Sequence, residues 1–231
     1  MQTWINTFLV VLAAIFPVVN PPGTALVFVG LTSGLTPNIR RALARRVAIN
    51  SFLVLVCSFL VGALILQFYG ISIPVLRVAG GFIVAVSGLN LLNSGSHKAI
   101  EASGDAEPSE DPLSMAFYPL TLPLTTGPGT IAVVISIGIS RSTFSQPADE
   151  LLFISASLAA VALIAFAIWL CFSYVGLIRR VLGKGGTDIA VRLTAFILFT
   201  LGVQILWSGL SDLLISVIHP DFVPTGSKPI G

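Results

Sequence analysis

Six stretches of this chain each run predominantly apolar for the length that crosses a bilayer, about 20 residues at a rise of about 1.5 Å each. They are Trp4–Leu31, Val47–Phe68, Ile73–Leu92, Leu113–Ser140, Leu151–Leu177 and Ile189–Ile218. The whole chain is 55% hydrophobic and 10% charged, against about 25% charged in soluble domains. It lacks the polar surface a soluble fold of 231 residues needs to cover itself. The fold class expected is all-α: a polytopic membrane protein with six transmembrane helices in the lipid bilayer. The N-terminal MQTWINTFLVVLAAIFPVVNPP has no positive leading region, and its apolar character runs on through prolines, so it reads as a first span and not as a cleaved signal. A net charge of +2 leaves no basic face for nucleic acid. Cys57 and Cys171 lie inside apolar runs without a CxxC or Cys/His cluster, which makes them small core residues and leaves no metal site and no cofactor to expect.

Short connections separate the windows except at Asn93–Pro112, which is rich in Gly, Ser and Pro and carries Glu101, Asp105, Glu107, Glu110 and Asp111. That segment reads as a solvated, flexible linker. The expected organisation is one membrane domain: repeat one over 1–95, a cytoplasmic linker over 96–112, repeat two over 113–218 and a periplasmic tail over 219–231. Basic side chains set the orientation. Arg40, Arg41, Arg45 and Arg46 in the first loop, Lys98 in the third and Arg179, Arg180 and Lys184 in the fifth put eight on one side, against Arg141 and Lys228 on the other. Both termini are thus expected in the periplasm of a bacterial inner membrane. The first loop also reads as helical, with Thr36 as N-cap and Pro37 at the first helical position, its arginines serving as the topology signal.

The chain resembles itself. A shift of 106 lays FPVVNPPGTALVFV (Phe16–Val29) on LPLTTGPGTIAVVI (Leu122–Ile135), matching Pro17, Pro22, Gly23 and Thr24 with Pro123, Pro128, Gly129 and Thr130. A shift of 114 lays Gly80–Gly95 on Thr194–Gly209, matching Gly88 with Gly202. Proline and glycine matches weigh most, because both residues are costly inside helices. Each copy holds three spans, an odd number, so the second enters the membrane from the opposite face. Such inverted repeats recur in secondary transporters.

Pro17, Pro21, Pro22 and Gly23 interrupt the first span; Pro119, Pro123, Gly127, Pro128 and Gly129 interrupt the fourth. Unsatisfied backbone survives at membrane depth only inside protein or beside a polar cavity. The expectation is a pair of broken helices whose second halves start near the midplane and present N–H groups and positive dipole ends to one region. Gly23 and Thr24 from one copy and Gly129 and Thr130 from the other supply those groups, while carbonyls freed by proline face the same way. Asn20 and its repeat mate Thr126, with Thr125, add neutral hydrogen bonds. Together they suit a small zwitterionic solute.

No acidic residue lies near the midplane; Asp212 falls toward the end of the sixth span, and His97 and His219 lie outside the spans. Proton relays through buried carboxylate or histidine are therefore disfavoured, leaving Na⁺ held by carbonyls and hydroxyls, or passive exchange, with the coupling ion unidentified. Asn50, Asn90 and Gln204 read as interhelical hydrogen bonds, and Gly80, Gly81, Gly88 and Gly202 as close-packing positions. Arg77 is expected at the outer interface, and Arg192 in a local ion pair with Asp188.

FPVVNPPG, FYGISIPVLRVAGGFIVA, PLTLPLTTGPGTIAVVI and VLGKGGTDIAVRL, four blocks in order, resemble the MarC family of bacterial integral membrane proteins. The resemblance covers essentially the whole chain except the acidic linker and the tail. It implies a six-span inner-membrane protein with archaeal relatives associated with transport of small neutral amino acids, and it supplies no catalytic residues. The leading function is transport by alternating access. A non-transporting scaffold and an exporter of other small molecules are the alternatives, and an enzyme is disfavoured because no nucleophile–base pair, carboxylate pair or metal-ligand set lies within the spans. A homo-oligomer is left open.

Overall fold

The computed structural model describes residues 2–32, 34–101, 112–140, 144 and 146–218, and every regular element among them is helical. The first apolar window holds two helices, α1 (Gln2–Val19) and α2 (Pro21–Leu31). Between them Asn20 adopts left-handed backbone angles, φ 50° and ψ 62°, a conformation that asparagine tolerates better than most residues. Pro21 and Pro22 then open α2 at positions whose N–H groups have no helical partner in any case. α3 (Pro37–Phe68) and α4 (Ile73–Glu101) follow.

The fourth window starts with a tight turn, Pro112–Ala116, and a wide-turned segment, Phe117–Thr125. Tyr118 and Leu122 are extended there, as residues before proline prefer to be. Hydrogen bonds reach five residues back: the Thr126 N–H donates to the Thr121 carbonyl at 2.8 Å, and the Thr121 and Thr125 hydroxyls donate to the carbonyls of Ala116 (2.6 Å) and Leu120 (2.7 Å). The threonine hydroxyls thereby supply donors to carbonyls of this disturbed segment. The chain then bends by 70° into α5 (Pro128–Ile139), and ends in α6 (Pro147–Ile218). α6 is interrupted at Gly183, where φ is 67° and ψ −176°, angles that favour glycine because it has no Cβ.

Five helical stretches are long and apolar enough to cross a membrane: Thr3–Leu31, Pro37–Phe68, Ile73–Asn93, Pro147–Gly176 and Ile189–Ile218. The bent pair, Pro112–Thr125 with Pro128–Ile139, makes a sixth when taken as one span. The protein is thus a multi-pass membrane protein. The first basic loop is helical from Pro37 with Thr36 at the N-cap position, as expected, although Thr36 makes no side-chain cap bond and the helix runs on without a break into the second span. One boundary differs from expectation. The expected linker is helical as far as Glu101, because α4 runs on past the bilayer-length window; the rest of its acidic part, and the tail, lie outside the described residues.

The core is apolar and aromatic, with Phe28 of α2 stacked on Phe172 of α6 at 4.5 Å between ring centres. Leu55, Phe59, Val134, Ile164 and Ile168 are buried beside them. α5 lies between α3 and α4, its Gly138 against the Phe59 carbonyl and its Ala132 against Gly80. α2 lies between the two arms of α6, with Phe28 on one and Gly23 against Thr194 of the other. α4 and the second arm of α6 approach backbone to backbone: a Cβ on Gly202 would strike the amide of Ala85, and one on Gly88 would strike that of Phe199. Small residues permit this contact, a common device between membrane helices.

Arg40 makes a structural contact as well. Its Nη2 donates to the carbonyls of Thr32 (2.8 Å) and Leu35 (3.4 Å), capping the C-terminus of α2 where a cation also suits the dipole. Arg40→Gln is expected to cost about 1.5–3 kcal/mol, the usual worth of a hydrogen bond from a charged donor. Arg46→Gln, on an exposed position, is expected to stay within about 0.5 kcal/mol. Thermal unfolding of the two variants in detergent checks the difference.

Candidate functional site

The heads of α2 and α5, which the repeat aligns, are finished in different ways. At α2, Asn20 uses both its oxygens: its Oδ1 accepts the Gly23 N–H at 3.3 Å, and its carbonyl accepts the Thr24 N–H and the Thr24 hydroxyl, each at 3.0 Å. Pro21 and Pro22 have no N–H to offer. The polar donors expected from Gly23 and Thr24 are therefore consumed within this turn.

At α5 the N-cap position is Gly127, with φ −70°, ψ 171° and no side chain to accept. Pro128 carries no N–H, and the first bond across the turn is from the Ile131 N–H to the Gly127 carbonyl at 3.1 Å. Among the described residues the N–H groups of Gly129 and Thr130 have no partner. The Thr130 side chain is 3% exposed, and its hydroxyl likewise has none among the described residues.

These groups border a cavity of about 100 Å³ lined by Val18, Ser87, Thr125, Gly129, Thr130 and Leu198, and closed on one side by Pro123, Gly127 and Pro128. A helix N-terminus with free N–H groups attracts an anion through both hydrogen bonding and the dipole, and the unpartnered Thr130 hydroxyl adds a donor. Gly129 is what lets α4 close the cavity: a Cβ there would overlap the Val84 side chain and stand 3.0 Å from the Gly80 carbonyl.

Of the residues singled out from sequence, Thr125, Gly129 and Thr130, with Pro123, Gly127 and Pro128, meet at this cavity. Asn20, Gly23, Thr24 and Thr126 do not line it, nor do Pro17, Pro21 and Pro22; the first window contributes Val18. The Thr126 hydroxyl is buried and donates to the Thr121 carbonyl at 3.1 Å. Sequence reasoning missed Ser87 of α4, which no motif marks. The asymmetry of the two heads had a legible signal, Asn-Pro-Pro in one copy against Thr-Gly-Pro in the other.

At the end of the bundle where α1 begins, Arg77 Nη1 donates to Asp212 Oδ2 at 2.8 Å. The pair joins the start of α4 to the end of α6. It sits beside a cleft of about 340 Å³ lined by Arg77, Ser136, Ser140, Gln204 and Ser208. A second cleft, of about 560 Å³, carries Thr3, Asn6 and Thr7 of α1 and shares Ile137 and Ser140 with the first. The expected interhelical role for Asn90 and Gln204 is not realised: both are exposed and make no interhelical hydrogen bond among the described residues, and Gln204 faces the cleft instead. Arg192 is exposed, and the side chain of its expected partner Asp188 lies outside the described residues.

The model of the family described as MarC family integral membrane protein matches residues 5–214. A UPF0056 membrane protein of Archaeoglobus fulgidus is 32% identical over 93% of this chain and 97% of its own length. The UPF0056 inner membrane protein MarC of Salmonella typhimurium is 32% identical over 88% of this chain and 93% of its own, and that of Escherichia coli O1:K1 / APEC is 35% identical over the same shares. No solved structure matches the chain significantly. With its membrane helices in the expected windows and a family match over nearly its full length, the chain belongs to the MarC family of integral membrane proteins.

Proposed function

We propose that the protein transports small zwitterionic solutes, neutral amino acids first among them, by alternating access around the cavity at the head of α5. The observation that carries this reading is the set of unpartnered donors there: the Gly129 and Thr130 N–H groups and the hydroxyl of Thr130, a residue that lines the cavity. A carboxylate satisfies all three. We assign the ammonium to the carbonyl of Leu124, a residue that lines the same cavity and whose donor four residues on is missing because position 128 is proline. The cavity holds no titratable side chain, so a neutral zwitterion fits better than a charged solute.

The architecture we infer is two inverted repeats that interlock. α5 of the second copy rests between α3 and α4 of the first, and α2 of the first rests between the arms of α6 in the second. The contacts pair accordingly. Gly129 meets Gly80, and Gly23 meets Thr194, which is the counterpart of Gly80 at a shift of 114; Gly88 meets Phe199, and Gly202, the counterpart of Gly88, meets Ala85, the counterpart of Phe199. In this reading the heads of α2 and α5 are the two breaks of broken spans, and each span pair cradles the other copy's break. Rocking one unit against the other then opens the cavity to alternate sides, as in other inverted-repeat transporters. The excess of arginine and lysine at the other end favours termini in the periplasm. On that orientation the two clefts beside Arg77 and Thr3 are the periplasmic approach.

Purified protein in proteoliposomes is expected to take up labelled glycine or alanine above the level of empty vesicles. Uptake equal to empty vesicles across a panel of neutral amino acids would remove this substrate class.

A further inference from the structure

On the lateral surface, α3 and the first arm of α6 leave an open groove of about 400 Å³ between them. Its floor is made of Ala48, Ala162 and Ala165, and its walls include Phe52 and Phe166. The alanines create the depth, because the flanking aromatic rings stand away from a surface that carries only methyl groups. Phe166 is 54% exposed and Ile49 is 47% exposed, so the groove opens outward along the bundle and not into it.

One end of the groove is chemically different. Arg45 and Trp169 close it there, and Arg41 follows one turn further toward the start of α3, also exposed. Positions 41, 45, 49 and 52 fall on one helix face. α3 and this arm of α6 run antiparallel, since Phe59, nearer the far end of α3, packs on Phe153 near the start of α6 with ring centres 6.1 Å apart. Arg45 and Trp169 therefore share the same end of the bundle, opposite to the Phe59–Phe153 contact. Trp169 packs at a tilt against Phe166, with ring centres 5.7 Å apart, and tryptophan favours the level of lipid headgroups. No carboxylate lines the groove, and among the described residues neither arginine is in an ion pair.

We propose that this groove binds an anionic glycerophospholipid of the leaflet at its arginine end, one acyl chain lying over the alanine floor and the phosphate held by Arg45 and Arg41. Apolar length capped by two unpaired cations and an interfacial tryptophan is the complement of that molecule. A zwitterionic lipid presents the same chain but carries its own cation over the phosphate, so it forgoes most of the charge pairing. A second copy of this chain would have to bring an acidic group to Arg41 and Arg45; the matching face offers none, which disfavours that occupant.

The test is the thermal unfolding midpoint of delipidated full-length protein in a neutral detergent, titrated with phosphatidylglycerol or with phosphatidylcholine of the same chains. Phosphatidylglycerol is expected to raise the midpoint by about 5 °C or more near saturation, and phosphatidylcholine by much less. The rise should vanish in R41Q/R45Q, which removes the headgroup contacts, and in Ala162→Phe, which fills the groove from an exposed position and leaves both arginines in place. Equal rises with the two lipids, an undiminished rise in either variant, or the same rise with glycerol 3-phosphate, which has no chain, would each overturn the proposal. So would a dimer that Ala162→Phe dissociates, since the face would then be covered by a second copy. None of these readouts depends on transport.

Discussion

Leucine in place of Gly202 is expected to lower the thermal unfolding midpoint in detergent by about 5–10 °C, a large effect for a single substitution between α4 and the second arm of α6. Position 202 meets the Ala85 amide nitrogen and Cα and the Val84 carbonyl carbon. All three are backbone atoms, which cannot rotate away as a side-chain terminus does. Relief therefore demands that α4 and the second arm of α6 separate as rods. Separation would also loosen Gly81 from the backbone of Leu206, Gly88 from that of Phe199 and Gly209 from the Pro74 carbonyl, and would strain the Arg77–Asp212 pair at the end of the same two helices. Overpacking of a core costs about 1–3 kcal/mol and occasionally more; a contact line with no yielding partner belongs at the upper end. Gly176→Leu is the matched control. A Cβ at 176 meets nothing within 4 Å, so that variant should unfold within a degree or two of the parent. Equal midpoints for the two variants would show that the α4–α6 crossing is not held by backbone proximity.

The spans were legible because hydropathy over a bilayer length is a property of composition within a window, and tertiary packing does not override it. The close-packing role of Gly81, Gly88 and Gly202 was legible for a related reason: glycine inside a helix is unfavourable unless something approaches it. What could not be read was anything set by partners distant in sequence. Arg77 and Asp212 stand 135 residues apart with no spacing to connect them. Arg40 looked like one of four equivalent loop arginines until α2 ended within reach of its guanidinium. The proline positions marked where the helices would be disturbed but not how each disturbance would be repaired. Asn20 repairs the first with its own oxygens, while the glycine at 127 leaves the second open beside the cavity that Gly129 and Thr130 line. The repeat suggested two equivalent heads; the side chain at a single cap position makes them unequal.

That inequality yields the sharpest functional expectation. Thr130→Val should leave folding intact and raise the KM for transported solute about 10–100-fold. Valine nearly matches threonine in shape, and the Thr130 hydroxyl has no protein partner among the described residues to lose, so the unfolding midpoint should hold or rise slightly. The hydroxyl lines the cavity beside two free N–H groups. A hydrogen bond to a charged group is worth about 1.5–3 kcal/mol, and about 1.4 kcal/mol is a factor of ten in affinity, which gives the range for a lost bond to the carboxylate. Thr126→Val provides the opposite pattern. Its hydroxyl is buried and already bonded to the Thr121 carbonyl, and it does not line the cavity. Its removal should lower stability by about 1 kcal/mol and change KM little. Measured side by side in proteoliposomes and by thermal unfolding, the two variants separate a solute-binding hydroxyl from a structural one. If Thr130→Val transports with an unchanged KM, the carboxylate does not bind at the head of α5, and the site must be sought along the clefts that flank the far end of the same helix.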